Sequence, residues 1–268
     1  MQFLLLLSSH ILLDFTSSLM LRVDRLLSSR MSLDRKQVKH LIARKKVMAV
    51  IDGQQLPVNS PSEKHCSDSC FLVSGSVIKE PPKLIKFNKP KGMLSVITPS
   101  LDRPNISSML PITLPEYYEF DKSLFHPVGR LDNDSSGLLL FSSDGQLTHR
   151  LLHPNFHVEK EYNVEVEGSI VDGSDLVKTL SAGVQTKTGQ HAATDVQIED
   201  ISTVRLTVTE GKSRMVRRML FNSGYPVLDL KRVRVGGISL GDLQEGEFSV
   251  LTPQEGNWIA NEDNFMSQ

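Results

Sequence analysis

Apolar side chains recur along this chain with two periods, and the switch between them marks where helices give way to strands. From Arg22 onward, Val23, Leu26 and Leu27 fall on one helical face. A second helix follows, with Val38, Leu41 and Ile42 as its buried stripe and Ser32 as its expected N-cap. Val47–Ile51, closed by Asp52-Gly53, predicts a strand and a turn. Residues 59–69 are polar and read as a loop, and Lys79-Glu80-Pro81-Pro82 reads as a linker. Beyond it, residues 84–87, 138–141, 162–166, 204–208 and 233–235 predict strands. Residues 144–152, 174–182 and 213–222 predict helices, the first capped by Asp144. Tyr162, Val164 and Val166 alternate with Asn163, Glu165 and Glu167, as a strand with one buried face requires. Interleaved strands and helices over such a length predict a sheet covered by helices.

Charge changes this picture. The formal net charge is -1, which argues against a polyanionic partner only if the charges are evenly spread. They are not. Residues 22–46 hold nine of the 30 basic residues against Asp24 and Asp34, and residues 207–235 hold seven more against Glu210 and Asp229. Arg35, Lys36 and Lys39 share one face of the second helix. Two cationic stretches on an otherwise acidic chain suit a protein that grips phosphates.

The two cysteines, Cys66 and Cys70, are too few for a disulfide framework and indicate a reducing compartment. With His65 they offer three metal ligands, one short of a structural zinc site, and are read as free thiols. The apolar runs at residues 3–7 and 11–13 fall short of the roughly 20 residues that span a bilayer. A secretory signal carries basic residues ahead of its apolar core, but here the first, apart from His10, is Arg22. The chain is therefore expected to be neither secreted nor a membrane protein. An organellar transit peptide and an extension without an address both fit residues 1–21, and a bacterial chain would be cytoplasmic.

The most informative segment is Gly129-Arg130-Leu131-Asp132-Asn133-Asp134-Ser135-Ser136-Gly137, which runs into an apolar stretch. Asp132, Asp134, Ser136 and Gly137 match the opening of an EF-hand loop. However, the bidentate Glu expected at its end is Ser143, and the intervening residues suit a strand. Two carboxylates one residue apart are a weak signal for a glycoside hydrolase, which separates its acid and base more widely. An Asx-rich turn that caps backbone N–H groups is the structural alternative.

Gly-Arg-Leu-Asp at 129–132 resembles the signature loop of pseudouridine synthases. The resemblance continues in order through Phe87-Asn88-Lys89-Pro90-Lys91-Gly92, His126-Pro127-Val128, Ser136-Gly137-Leu138 with Asp144-Gly145, and Glu159-Lys160-Glu161-Tyr162. It then runs on through Glu210-Gly211-Lys212, Val216-Arg217-Arg218-Met219 and residues 235–240. The subfamily resembled acts on ribosomal RNA and includes a small-subunit enzyme and its large-subunit relatives. The resemblance implies an α+β fold, with a mixed, mainly antiparallel sheet flanked by helices over residues 84–262. It also implies an alpha-L-type RNA-binding module over residues 22–79, opened by the helix that begins Arg22-Val23-Asp24-Arg25.

The resemblance implies that a uridine of ribosomal RNA is isomerised by a monomer without metal or cofactor. Asp132 would be the catalytic carboxylate, Arg217 the cation that keeps it ionised, and Tyr162 the ring packed on the flipped base. Arg130, Lys89, Lys91, Arg214 and Arg218 would meet RNA in the catalytic domain, as would Arg22, Arg35, Lys36, Lys39, Lys45 and Lys46 in the module. Two positions depart from the pattern. Met215 stands where a Gln is common and cannot make the hydrogen bonds of an amide. Lys45 stands where a Gly is common before a strand, which bears on the turn geometry. The rival from another class is an RNA-binding or ribosome-assembly factor that keeps the fold without the chemistry.

Overall fold

A computed structural model describes residues 20–31, 33–66, 69–78, 82–96, 104–106 and 125–265. Nearly all of the N-terminal extension, the expected cap Ser32 and most of the expected linker lie outside the described residues. The chain divides into two compact units, with described residues 20–78 in the first and those from 82 onward in the second.

In the first unit, β1 (Met20–Arg22) leads into α1 (Val23–Met31) and α2 (Arg35–Ala43). There follow β2 (Val47–Ile51), β3 (Gln54–Pro57), β4 (Lys64–Cys66), β5 (Cys70–Val73) and β6 (Ser76–Ile78). The strands β3, β2, β5 and β6 make one antiparallel sheet in that order, and β1 pairs with β4. Val23, Leu26 and Leu27 of α1 and Val38 and Ile42 of α2 bury their apolar stripes with Val47, Ala49 and Phe71 of the sheet. The N-cap of α2 is Asp34, not Ser32. Its carboxylate accepts the Gln37 N–H while the Gln37 side chain accepts the Asp34 N–H, closing a capping box. The expected loop at 59–69 contains β4, and Arg22 sits in β1 just before the helix it was expected to open. Lys45 adopts φ 57°, the left-handed conformation that its departure from Gly put in question. Cys66 and Cys70 are free thiols.

The second unit contains β7 (Leu84–Lys89), β8 (His126–Val128), β9 (Ser136–Ser142), α3 (Gly145–Leu152) and β10 (Lys160–Val166). After these come α4 (Gly173–Ala182), β11 (Val184–Thr186), β12 (Gly189–His191), β13 (Asp195–Ile198) and β14 (Thr203–Val208). It ends with α5 (Met215–Asn222), β15 (Val227–Val235), β16 (Ile238–Ser239), β17 (Phe248–Val250) and α6 (Pro253–Ala260). The main sheet runs β13-β14-β10-β15-β9-β7-β17, with β8 on β9 and β16 on β15. Every pairing in it is antiparallel except β15 with β9, so the sheet is mixed and mainly antiparallel, in an α+β unit.

Asp144 caps α3 by accepting the N–H groups of Gln146 and Leu147, as its type and place predict. All seven residues of β9 are buried, which explains their continuous apolar pattern, whereas β10 alternates as a strand with one buried face. Gly137 occupies the one parallel crossing. Its φ is +98°, and a Cβ there would lie 2.2 Å from the Arg232 carbonyl oxygen, so only glycine lets β9 and β15 approach. Among the described residues, no helix is long and apolar enough to cross a membrane.

Candidate active site

The central strands β10 and β15 line an open cavity of about 230 Å³ in the second unit. Tyr162 and Lys160 are two apart on β10, Leu230 and Arg232 two apart on β15, and Tyr162 pairs in register with Arg232. Alternation along the strands therefore puts these four side chains on one sheet face, and all four line the cavity. Further lining comes from Arg130, Leu131 and Asp132 of the loop before β9, and from residues 210–216 leading into α5.

The acidic loop is held on several sides. Ser95 Oγ accepts the Leu131 N–H at 3.1 Å and donates to the Leu131 carbonyl oxygen at 2.8 Å. Gly92 N–H donates to the Asn133 carbonyl oxygen at 2.8 Å. Lys89, fully buried, donates from Nζ to the carbonyl oxygens of Ser135 at 2.8 Å and Pro90 at 2.9 Å. Burial pushes the Lys89 ammonium down to about 8, although Asp134 and Asp132 lie near enough to favour its charge. Lys89 was expected to touch RNA phosphate, but a side chain without exposed surface holds the loop from beneath instead. Lys91, half exposed, pairs with Asp229.

The two carboxylates of the loop do different work. Asp132 lines the cavity, and its Oδ2 accepts the backbone N–H of Arg214 at 3.2 Å. Asp134 takes the guanidinium groups. Arg214 Nη1 donates to its Oδ1 at 2.9 Å, Arg217 Nε lies 3.3 Å from its Oδ2, and Arg217 Nη2 donates to its backbone oxygen at 2.7 Å. Burial alone would raise the Asp134 carboxyl, but the Arg214 hydrogen bond and the charges of Arg217 and Arg214 hold it below the usual range. The expected partnership of Arg217 with Asp132 is thus corrected. Arg217 anchors Asp134 and, through Nη1, the Val227 carbonyl oxygen at 3.1 Å, because α5 presents it to the outer turn of the loop.

Of the expected site residues, the fold brings Asp132, Tyr162, Arg130 and Arg214 to one cavity. Arg130 is exposed, and Arg218 is half-buried, its Nη1 without a hydrogen-bond partner among the described residues. In the first unit, Arg35, Lys36, Lys39, Lys45 and Lys46 are exposed, while Arg22 is bound to the buried carboxylate of Asp24 at 3.0 Å. That bond, more than any other contact, holds the Asp24 carboxyl below its usual range.

Sequence reasoning missed Lys160 and Arg232 as cavity residues. Lys160 Nζ donates to the carbonyl oxygens of Val158 at 2.7 Å and Thr209 at 3.1 Å, and burial, followed by the Arg232 charge, brings it down to about 8. A signal existed, since Lys160 stands two before Tyr162 and so shares its buried face. Met215, the noted departure, is buried and lines the cavity as an apolar wall. The calcium reading fails because Ser136–Ser142 is a buried strand and the loop carboxylates bind protein donors. Among the described residues, no three His, Cys, Asp or Glu side chains gather as metal ligands.

Residues 83–222 match the model of the RNA pseudouridylate synthase family, and the chain belongs to that family. It is 38% identical over 175 residues to a Mycobacterium leprae protein described as an uncharacterized RNA pseudouridine synthase, covering 64% of this chain and 66% of that one, just under two thirds. It is 32% identical over 240 residues to ribosomal small subunit pseudouridine synthase A of Yersinia pestis, covering 88% of this chain and 96% of the relative. Its fold is similar to a crystal structure of a pseudouridylate synthase, with a TM-score of 0.58 and 26% identity over 89% of this chain and 99% of that one.

Proposed function

We propose that this chain converts a uridine of ribosomal RNA to pseudouridine, with Asp132 as the catalytic carboxylate. The observation that carries this is the division of labour in the acidic loop. Asp134 occupies the arginines, leaving Asp132 at the cavity with a single backbone N–H on one oxygen. The reaction breaks the bond between ribose C1′ and uracil N1, turns the base and rejoins it through C5, so product and substrate contain the same atoms. It needs a positioned carboxylate acting as nucleophile or base toward the nucleotide, in a pocket that excludes bulk water. Fixed at Leu131, Asn133 and Ser135, the loop holds Asp132 in place before substrate arrives, which is where much of the rate of such a step originates.

A base cannot enter while stacked in RNA. The target uridine is therefore flipped, with Tyr162 as its platform and Arg130 and Arg214 at the mouth of the cavity to meet the backbone. Arg217 acts through Asp134 as a positioning residue, and Lys89 likewise from beneath the loop. Arg218 and Lys91 stand as further phosphate contacts. The first unit serves as the RNA-binding module, with Arg35, Lys36, Lys39, Lys45 and Lys46 on its cationic side, and the chain works as a monomer. Pseudouridine mapping of ribosomal RNA tests this. Cells lacking the gene should lose modification at one uridine, and the wild-type gene should restore it. An unchanged map would contradict the proposal.

A further inference from the structure

Two buried cations, Lys160 and Arg232, line the cavity, and among the described residues neither forms an ion pair. Arg232 is 5% exposed and Lys160 7% exposed, and the charge of Arg232 acts directly on Lys160. Lys160 spends two of its three donors on the Val158 and Thr209 carbonyls. Arg232 Nε donates to the Leu138 carbonyl oxygen at 2.8 Å, and its Nη2 is buried with no hydrogen-bond partner among the described residues. Taking a guanidinium out of water costs several kcal/mol unless its donors and charge are met, and placing an ammonium beside it adds to that cost. A fold that needed only shape here could use an apolar side chain. Both cations line the cavity that holds Asp132, so a ligand can supply the missing negative charge.

We propose that Arg232, with Lys160 beside it, is a catalytic residue that binds a ring carbonyl oxygen of the flipped uracil and stabilises the base as an anion once it has left the sugar. This rests on the proposed reaction at Asp132. When the C1′–N1 bond breaks, its electron pair stays with the ring and spreads over N1 and the carbonyl oxygens. The pair is used again when C5 bonds to C1′, and the C5 proton is released as N1 takes one up. Neutral uridine gains one hydrogen bond from Arg232, whereas the detached anion gains that bond and two nearby positive charges. The interaction therefore strengthens on the way to the transition state and raises kcat more than it lowers KM. Register supports a base rather than a phosphate as the ligand. Arg232, 5% exposed, pairs in register with Tyr162 across adjacent strands, whereas Arg130 and Arg214 are exposed residues lining the same cavity from loops.

The test is Arg232→Met assayed with RNA bearing uridine, 2-thiouridine or 4-thiouridine at the target, since sulfur accepts hydrogen bonds more weakly than oxygen. For uridine, kcat should fall about 10²-fold, as when one preorganised donor to a developing oxyanion is removed, with KM within a few fold. One of the two thio substrates should slow the wild type yet slow Arg232→Met no further. Thermal stability should stay equal or rise, because a buried charge has been removed. A normal kcat, or thio effects of the same size in both proteins, overturns the proposal. If Arg232→Met does not fold, Arg232→Lys takes its place, and the thio effect must shrink there as well. A wild type that makes no pseudouridine would instead overturn the reading of Asp132.

Discussion

Arg217 Nε lies 3.3 Å from Oδ2 of Asp134, two residues beyond the carboxylate it was expected to serve. Asp134 also holds Arg214, so one aspartate of the loop is occupied by guanidinium groups while Asp132 accepts only a backbone N–H, on Oδ2, among the described residues. The pair is structural in itself and functional through the loop it fixes.

Replacing Asp134 leaves Arg217, only 10% exposed in its side chain, without its carboxylate. Because Asp134 itself is 43% exposed, solvent screens much of the loss. Asp134→Asn should destabilise the protein by about 1 to 2 kcal/mol in chemical denaturation and lower kcat more than RNA affinity. The folded-state pKa of Asp134 is depressed, so its contribution is complete above the unfolded carboxyl pKa and is lost as pH falls through the folded one. The stability gap between wild type and Asp134→Asn should therefore close only in acid. A gap unchanged down to the acid transition would refute the pairing.

Gly137→Ala meets backbone rather than a yielding side chain, and at positive φ. It should cost about 3 kcal/mol or more and move the loop before β9, abolishing most activity. A denaturation midpoint equal to that of the parent would show that β9 and β15 are not so close.

Burial, followed by the Arg232 charge, pushes the Lys160 ammonium down to about 8 from the 10.5 ordinary for a lysine. Between those values the unfolded chain binds the proton that the folded one has lost, so this group's unfavourable contribution is full below about 8 and fades as pH rises toward 10.5. Wild-type stability measured against Lys160→Met should rise across that window. A flat difference would mean that the ammonium is not desolvated.

Arg35, Lys36 and Lys39 are exposed on α2, opposite buried Val38 and Ile42. Changing all three to Ala should weaken RNA binding and reduce the salt dependence by up to about three units of slope. An unchanged slope would take this helix out of the RNA interface.

Periodicity made β10 and α3 legible, because each buries one face and follows one period. Only residues 233–235 of the nine-residue β15 were read as strand, since Asp229, Lys231 and Arg232 break its apolar pattern. One of these, Arg232, is a buried cation of the cavity. β4 escaped because Lys64–Cys66 is polar and, among the described residues, pairs only with the short β1. Asp34 and Gln37 spelled a capping box that Ser32 obscured. The acidic loop was legible as a site from the ordered motifs it shares with a family, since its residue types alone also suited an Asx-rich turn. Which aspartate takes Arg217 was not, since that depends on how α5 meets the loop across more than 80 residues of chain.

Tritium release from ribosomal RNA labelled at uracil C5 addresses the central claim most directly, using wild type and Asp132→Asn at matched RNA binding. The amide keeps the side chain's shape and loses its nucleophile. Wild type should release tritium from one uridine per RNA, while Asp132→Asn should bind within a few fold and release none. Normal release by Asp132→Asn, or none by wild type on RNA that it binds, would contradict the account.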